Sequence, residues 1–235
     1  MFIPLLLFTS SAILLYLSSH SLIKNITLSF YRLTKSHHTS INLLFFLLLP
    51  GIFLHEFSHI IIAELLRVPT GELKLKPQLK DNQIKLGSAQ IASTDPLRLT
   101  LIGTAPFIIG TFTLWALLKL GLNINLSQLT IFNFFPQIIY TINQTPILII
   151  ILLFYLLFAI SNTMFSSSSD LQSAAFPVIL ILILLGLAKL TNFNLPQTLT
   201  LSISSLLLLL TTIFILTLIL NLILLFPLKL IKPKH

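Results

Sequence analysis

The sequence predicts an all-α polytopic membrane protein with about six transmembrane helices and a small β-hairpin-like segment after the second helix. Of the 235 residues, 55% are hydrophobic and only 9% are charged, whereas about a quarter of the residues of a soluble domain are charged. Apolar runs of about 20 residues, the length that a helix needs to cross the hydrocarbon core, recur along the chain. We therefore interpret residues 1–235 as a single integral membrane domain.

The predicted spans are the long apolar runs of the sequence. The first run has no basic start and no clear small-residue cleavage site, so we interpret it as a retained helix and not as a signal peptide. Residues 173–227 hold the C-terminal helices. The predicted spans are Phe2–Ser19, Ile41–Leu66, Leu97–Leu120, Pro146–Phe165, Phe176–Leu190 and Thr198–Pro227.

The connection 67–96 has a different character from the spans on either side of it. Its residues 70–93 are polar and partly alternating, and they are too polar to cross the membrane. The stretches "ELKLK" and "NQIKLGSAQI" predict two short strands around a turn that contains Asp81 and Asn82. We expect a β-like segment close to the membrane end of the second helix.

The distribution of Lys and Arg predicts the orientation. The net charge is +8, but the basic residues lie mainly between and after apolar runs, which is typical of membrane orientation and not of nucleic acid binding. With six spans, the loop 67–98 and the C-terminal tail share a side. We predict that this side is the cytoplasm and that the protein is a multi-pass protein of a prokaryotic plasma membrane. The basic loop 20–40 would lie outside and conflicts with this orientation.

Ionisable side chains occur within the second span, in "LPGIFLHEFSHIIIAELL". Such side chains are costly in a bilayer and therefore indicate a functional site. His55, Glu56 and His59 form the pattern H-E-x-x-H, in which positions i and i+4 project from one helix face. Two imidazoles placed in this way can bind one Zn²⁺, and the glutamate can take a proton from a water on the metal. The chain has no cysteine, which excludes thiolate ligands and thiol catalysis.

A catalytic zinc site usually has three protein ligands and an open position for water. Glu64 lies on roughly the opposite helix face from His55, and Asp95 precedes a proline at the position of a helix cap. Asp170 follows the fourth span in "FAISNTMFSSSSDLQSAAF". On its local sequence it is a good cap for the next helix. Its predicted position on the same membrane side as the H-E-x-x-H motif favours the role of third ligand.

These residues resemble the site-2 intramembrane metalloproteases over about residues 41–172. In that family an aspartate from a later span joins the H-E-x-x-H helix, in a motif of the form N-x-x-P-x-P-x-L-D-G. Asn162 precedes Asp170 by the same eight residues here. The β-like segment and the stretch "GTAPF" also match features that the family often has.

The sequence departs from the family pattern around the aspartate. Phe165 stands where the family has proline, and Leu171-Gln172 follows the aspartate where the family has glycine. A serine run, Ser166–Ser169, replaces a proline-rich turn. The resemblance is therefore to a divergent, minimal member without an inserted PDZ-like or CBS-like domain.

The resemblance implies a zinc metalloendopeptidase that hydrolyses transmembrane or membrane-proximal segments of membrane protein substrates within the lipid bilayer. It implies that His55, His59 and Asp170 hold Zn²⁺ and that Glu56 is the general base. It also implies that Asn162 contacts the substrate backbone or the oxyanion, with an interhelical hydrogen bond as the alternative. Two other functions stay open: a proton or metal-ion transporter that uses the same buried cluster, and an inactive membrane scaffold with a structural zinc.

Overall fold

The computed structural model describes residues 2–80, 83–121, 134–164 and 196–230. These residues form a helix bundle with a β-segment between its second and third helices. The helices are α1 (Phe2–Thr34), α2 (His37–Leu65), α3 (Pro96–Gly121), α4 (Phe134–Gln144), α5 (Ile147–Thr163) and α6 (Gln197–Leu230).

Four of these helices, α1, α2, α3 and α6, are long and apolar enough to cross a membrane. The predicted membrane class is confirmed at this level. The fourth predicted span corresponds to α5, which has only 17 residues and so measures about 25 Å, less than the roughly 30 Å of a hydrocarbon core. The fifth predicted span, Phe176–Leu190, lies outside the described residues, so the prediction of about six spans is not confirmed.

The first helix is longer than its hydropathy predicts. We expected a span ending at Ser19 and a loop over residues 20–40, but α1 continues through Thr34 and only two residues separate it from α2. The polar side chains of its second half bond to carbonyls one turn back, as when the Asn25 amide donates to the Ser21 carbonyl oxygen at 2.7 Å. Hydroxyls of Thr27, Ser29 and Thr34 make the same kind of bond, which satisfies them within the helix and which hydropathy alone does not reveal.

The connection between α2 and α3 forms two nested antiparallel pairs. The strands are β1 (Thr70–Lys74), β2 (Gln78–Lys80), β3 (Gln83–Lys85) and β4 (Ser88–Ile91). β1 pairs with β4, and β2 pairs with β3 across the predicted turn. The predicted β-hairpin-like segment is confirmed: β1 overlaps the first predicted strand, β3 and β4 divide the second, and β2 was not predicted.

The ends of this connection are fixed by local signals in the sequence. α2 stops because Arg67 takes a left-handed conformation, with φ at 58°. The Arg67 and Val68 N–H groups then donate to the carbonyl oxygens of Glu64 and Ala63, which is the Schellman arrangement. α3 starts after Asp95, whose carboxylate accepts from the backbone N–H of Arg98 at 3.0 Å, as predicted for a cap. This hydrogen bond lowers the pKa of Asp95 below its ordinary value.

The β-segment lies against the helices. Leu75 and Leu86 pack on the cluster to which Leu48 and Ile52 of α2 contribute. At its start, the Thr70 hydroxyl donates to the Glu64 carboxylate, close to the end of α2. The segment therefore runs back along α2 from that end toward Leu48. A polar connection is therefore placed beside the part of α2 that carries the H-E-x-x-H motif.

The directions of the helices follow from their contacts. α6 runs parallel to α1, because Phe8 stacks on Phe214 at one level while Leu22 and Leu225 share a cluster at another. α6 therefore ends beside the turn between α1 and α2, whereas the connection 67–95 joins the helices at the opposite end of the bundle. The described helices therefore do not support the prediction that this loop and the C-terminal tail share a side, and the orientation in the membrane stays a prediction.

The helices α2 and α5 approach each other closely at Gly51. A Cβ added there would overlap the Ala159 carbonyl oxygen and the Thr163 hydroxyl. Small residues allow such close contacts in membrane bundles, where association depends on packing more than on burial from water. This contact places the C-terminal end of α5 beside Gly51, which lies one helical turn before His55 in α2.

Candidate metal centre

The three residues of the H-E-x-x-H motif lie on the inner face of α2. His55 is 4% exposed, while Glu56 and His59 are each 8% exposed. Phe53 and Phe57 lie on the outer face, where their rings stack at 5.3 Å and are 44% and 39% exposed. The helix thus turns its ionisable side chains inward and these two aromatic rings outward, as expected for ionisable residues within a membrane span.

The two imidazoles have a separation that suits a shared metal ion. The ring centroids of His55 and His59 are 5.0 Å apart, and the ring planes are nearly perpendicular, at 85°. Two rings bound to one tetrahedral zinc, with Zn–N bonds of about 2.0–2.1 Å, have centroids about 5 Å apart. The spacing of the two side chains therefore fits Zn²⁺.

A backbone carbonyl orients the second imidazole. The Nδ1 of His59 lies 2.8 Å from the carbonyl oxygen of Ile102 in α3. Since a carbonyl oxygen can only accept, Nδ1 must carry the proton. In a neutral ring this leaves Nε2 as the nitrogen with a lone pair, the usual arrangement of a metal-binding histidine with an outer partner.

The β-segment touches the glutamate of the motif. Gly87, between β3 and β4, lies so close to Glu56 that an added Cβ would be 2.9 Å from its Cγ and 3.1 Å from its Oε1. The same Cβ would be 3.2 Å from the Cγ2 of Ile52. A larger residue at this position would have to displace the side chain of Glu56, so glycine favours this close approach of the chain.

The third predicted ligand, Asp170, lies outside the described residues. Among the residues that the structure does describe, no group of three His, Cys, Asp or Glu side chains is arranged to hold a metal ion. The chain leaves α5 at Met164, which contacts Gly110 of α3. The role of Asp170 as third ligand stays a prediction.

The fifth predicted site residue, Asn162, forms an interhelical hydrogen bond. Its side-chain amide donates to Asn221 Oδ1 at 2.9 Å, and the Asn221 amide donates back to Asn162 Oδ1 at 3.2 Å. The Asn221 amide also donates to the Ser19 hydroxyl, so the pair links α5, α6 and α1. The structure therefore shows the alternative role for Asn162, and substrate contact stays a prediction.

Two participants in these contacts were not identified from the sequence. Asn221 is a fully buried amide in a long apolar helix, which is itself a signal of a polar partner within the bundle. The partner of His59 is a backbone carbonyl, and a carbonyl leaves no mark in the sequence at its own position. The sequence marks this carbonyl only through Pro106, four residues later within "GTAPF", because proline has no N–H to donate to it.

No family model, curated protein or solved structure matches the chain. The likeness to site-2 metalloproteases therefore stays a prediction that rests on the residues of this chain.

Proposed function

We propose that the chain is an intramembrane zinc metalloprotease that hydrolyses peptide bonds in the transmembrane or membrane-proximal segments of other membrane proteins. The observation that carries the proposal is the inward-facing group of His55, Glu56 and His59, with its two rings 5.0 Å apart. Ionisable side chains are costly to bury in an apolar membrane helix, so a buried group of this kind indicates a function.

Each member of the group has a role that suits peptide hydrolysis. His55 and His59 supply two nitrogen ligands, and Asp170 supplies the third, charged ligand. A bound zinc ion would supply Lewis acidity to a water molecule and to the substrate carbonyl. Glu56 takes a proton from the attacking water and passes it to the leaving amine.

The β-segment suits the presentation of an extended substrate. A transmembrane helix has its carbonyl groups in hydrogen bonds and must unwind before hydrolysis. β1 and β4 form a two-stranded sheet, in which each strand keeps an outer edge to which an extended peptide can be added. Because Gly87 immediately precedes β4 and contacts Glu56, a strand added there would pass close to the proposed base.

The transporter alternative requires ionisable or polar groups along a continuous path. In the described part of the chain, the buried ionisable side chains are His55, Glu56 and His59. The other buried polar side chains there are hydroxyls and amides, and those of Asn162 and Asn221 bond to each other. A single concentrated group favours local chemistry over conduction. The other alternative, an inactive scaffold with structural zinc, differs from a protease in whether the zinc-loaded protein cleaves a substrate.

The proposal is tested with Glu56→Gln in a proteoliposome assay that follows cleavage of a single-span reporter. The amide cannot take the proton of the attacking water, so cleavage should fall to background while the zinc content stays at the wild-type level. Glu72→Gln makes the same chemical change on the exposed strand β1 and should cleave as the wild type does. Cleavage by the Glu56→Gln protein at the wild-type rate would refute the role of Glu56.

A further inference from the structure

A proline inside α3 removes a hydrogen bond at a specific place. Pro106 is buried within the helix Pro96–Gly121. In an unbroken helix, the N–H of residue 106 would donate to the carbonyl of residue 102, four positions earlier. Proline has no N–H, so the carbonyl of Ile102 lacks its donor within the helix.

The neighbouring helix supplies a donor to this carbonyl. His59 Nδ1 lies 2.8 Å from Ile102 O, across the interface between α2 and α3. The interface is fixed on the same turn of α3, because the Ile102 side chain packs with Ala63 and Val68 where α2 ends. A carbonyl released by one proline is thus held directly in front of one of the proposed zinc ligands.

We propose that Pro106 is a positioning residue for His59. By removing the N–H that would compete for Ile102 O, it keeps this carbonyl available to the imidazole. The imidazole is then held with its proton on Nδ1 and with Nε2 as the nitrogen that binds metal. The value of this arrangement for catalysis rests on the proposed function, but the arrangement itself involves no metal.

A role in packing or in bending α3 predicts a different result on substitution. Pro106→Ala restores the backbone N–H and favours a regular helix, and its smaller side chain fits the space of the proline ring. If the proline serves only packing, the ring of His59 keeps its tautomer in this variant. If the proline releases the carbonyl, the new N–H competes with His59 for Ile102 O.

The test uses the full-length, zinc-free protein with ¹⁵N-labelled histidine rings, at about pH 8, above the ordinary pKa of histidine. Long-range ¹⁵N–¹H correlation spectra distinguish the two tautomers, and the signals of His59 are assigned by their loss in His59→Gln. The wild type should show Nδ1–H, and Pro106→Ala should show a population with Nε2–H. Pro227→Ala makes the same exchange inside α6 and should leave the tautomer unchanged.

Zinc affinity, measured by competition with a chromophoric chelator, provides the second result. Loss of an outer partner typically weakens metal binding by about 10–100-fold, and we expect about tenfold for Pro106→Ala and no change for Pro227→Ala. An Nε2–H tautomer in the wild type, or an unchanged tautomer in Pro106→Ala, would overturn the inference, and so would an unchanged zinc affinity in Pro106→Ala if the wild type binds zinc. If the wild type binds no zinc but the tautomer shifts in Pro106→Ala, the proposed function is overturned and the link between Pro106 and His59 is established.

Discussion

Replacement of Gly51 by alanine should push α5 away from α2, the helix that carries His55, Glu56 and His59. The added Cβ would lie 2.6 Å from the carbonyl carbon of Ala159, whereas ordinary contacts begin at 3.4 Å. α5 must therefore move away by about 1 Å, since a backbone group cannot rotate aside as a side chain can. A gap of this size removes roughly a quarter to a half of each dispersion contact across the interface.

Overpacking of this kind costs about 1–3 kcal/mol, and the rigid obstacle places Gly51→Ala close to 3 kcal/mol. For a chain of this length, that corresponds to a melting temperature lower by about 6–12 °C, measured by thermal unfolding in detergent. Gly71→Ala is the matched control, because its Cβ would meet the exposed Gln90 side chain and should cost less than about 0.5 kcal/mol. Equal melting temperatures for the wild type and Gly51→Ala would refute the close contact between α2 and α5.

Three further predictions concern the third ligand, the buried amides and the helix directions. Asp170→Asn and Asp170→Ala should both lose zinc, since a cap role would tolerate Asn whereas a ligand role requires the carboxylate; full zinc content in the Asn variant, measured by elemental analysis, would leave Asp170 as a cap. Asn221→Leu should lower the free energy of unfolding by about 1 kcal/mol, because it leaves the amide of Asn162 without this partner. The double variant with Asn162→Leu should recover part of this loss. If the single and the double variant are both as stable as the wild type, the pairing is contradicted. Cysteines introduced at Ser93 and His38 should react with an impermeant reagent from opposite sides of the membrane, and labelling of both from one side would contradict the helix directions.

The sequence predicted those features that depend on local pattern. The H-E-x-x-H spacing placed His55, Glu56 and His59 on one face of α2, and the structure buries that face. Alternation of polar and apolar residues predicted the β-segment, and the position of Asp95 before a proline predicted the start of α3. In each case the signal lies within a few residues of the feature that it predicts.

Features that depend on contacts between distant parts of the chain were not predicted. α1 was expected to end at Ser19, because hydropathy does not register that polar side chains bond to their own helix and that Leu22 packs against α2. The parallel course of α1 and α6 follows from packing and not from the number of apolar runs. The bond from His59 to Ile102 joins residues 43 positions apart, and only the proline in α3 marks it in the sequence.

The central claim is tested most directly by the zinc dependence of cleavage. Purified wild-type protein in proteoliposomes is assayed with a single-span reporter before chelation, after chelation, and after zinc is returned. The account predicts that cleavage is lost with zinc and restored by it, and that Glu56→Gln shows no cleavage in any of the three states. Cleavage that persists in the zinc-free protein, or its absence from the zinc-loaded wild type, would contradict the account.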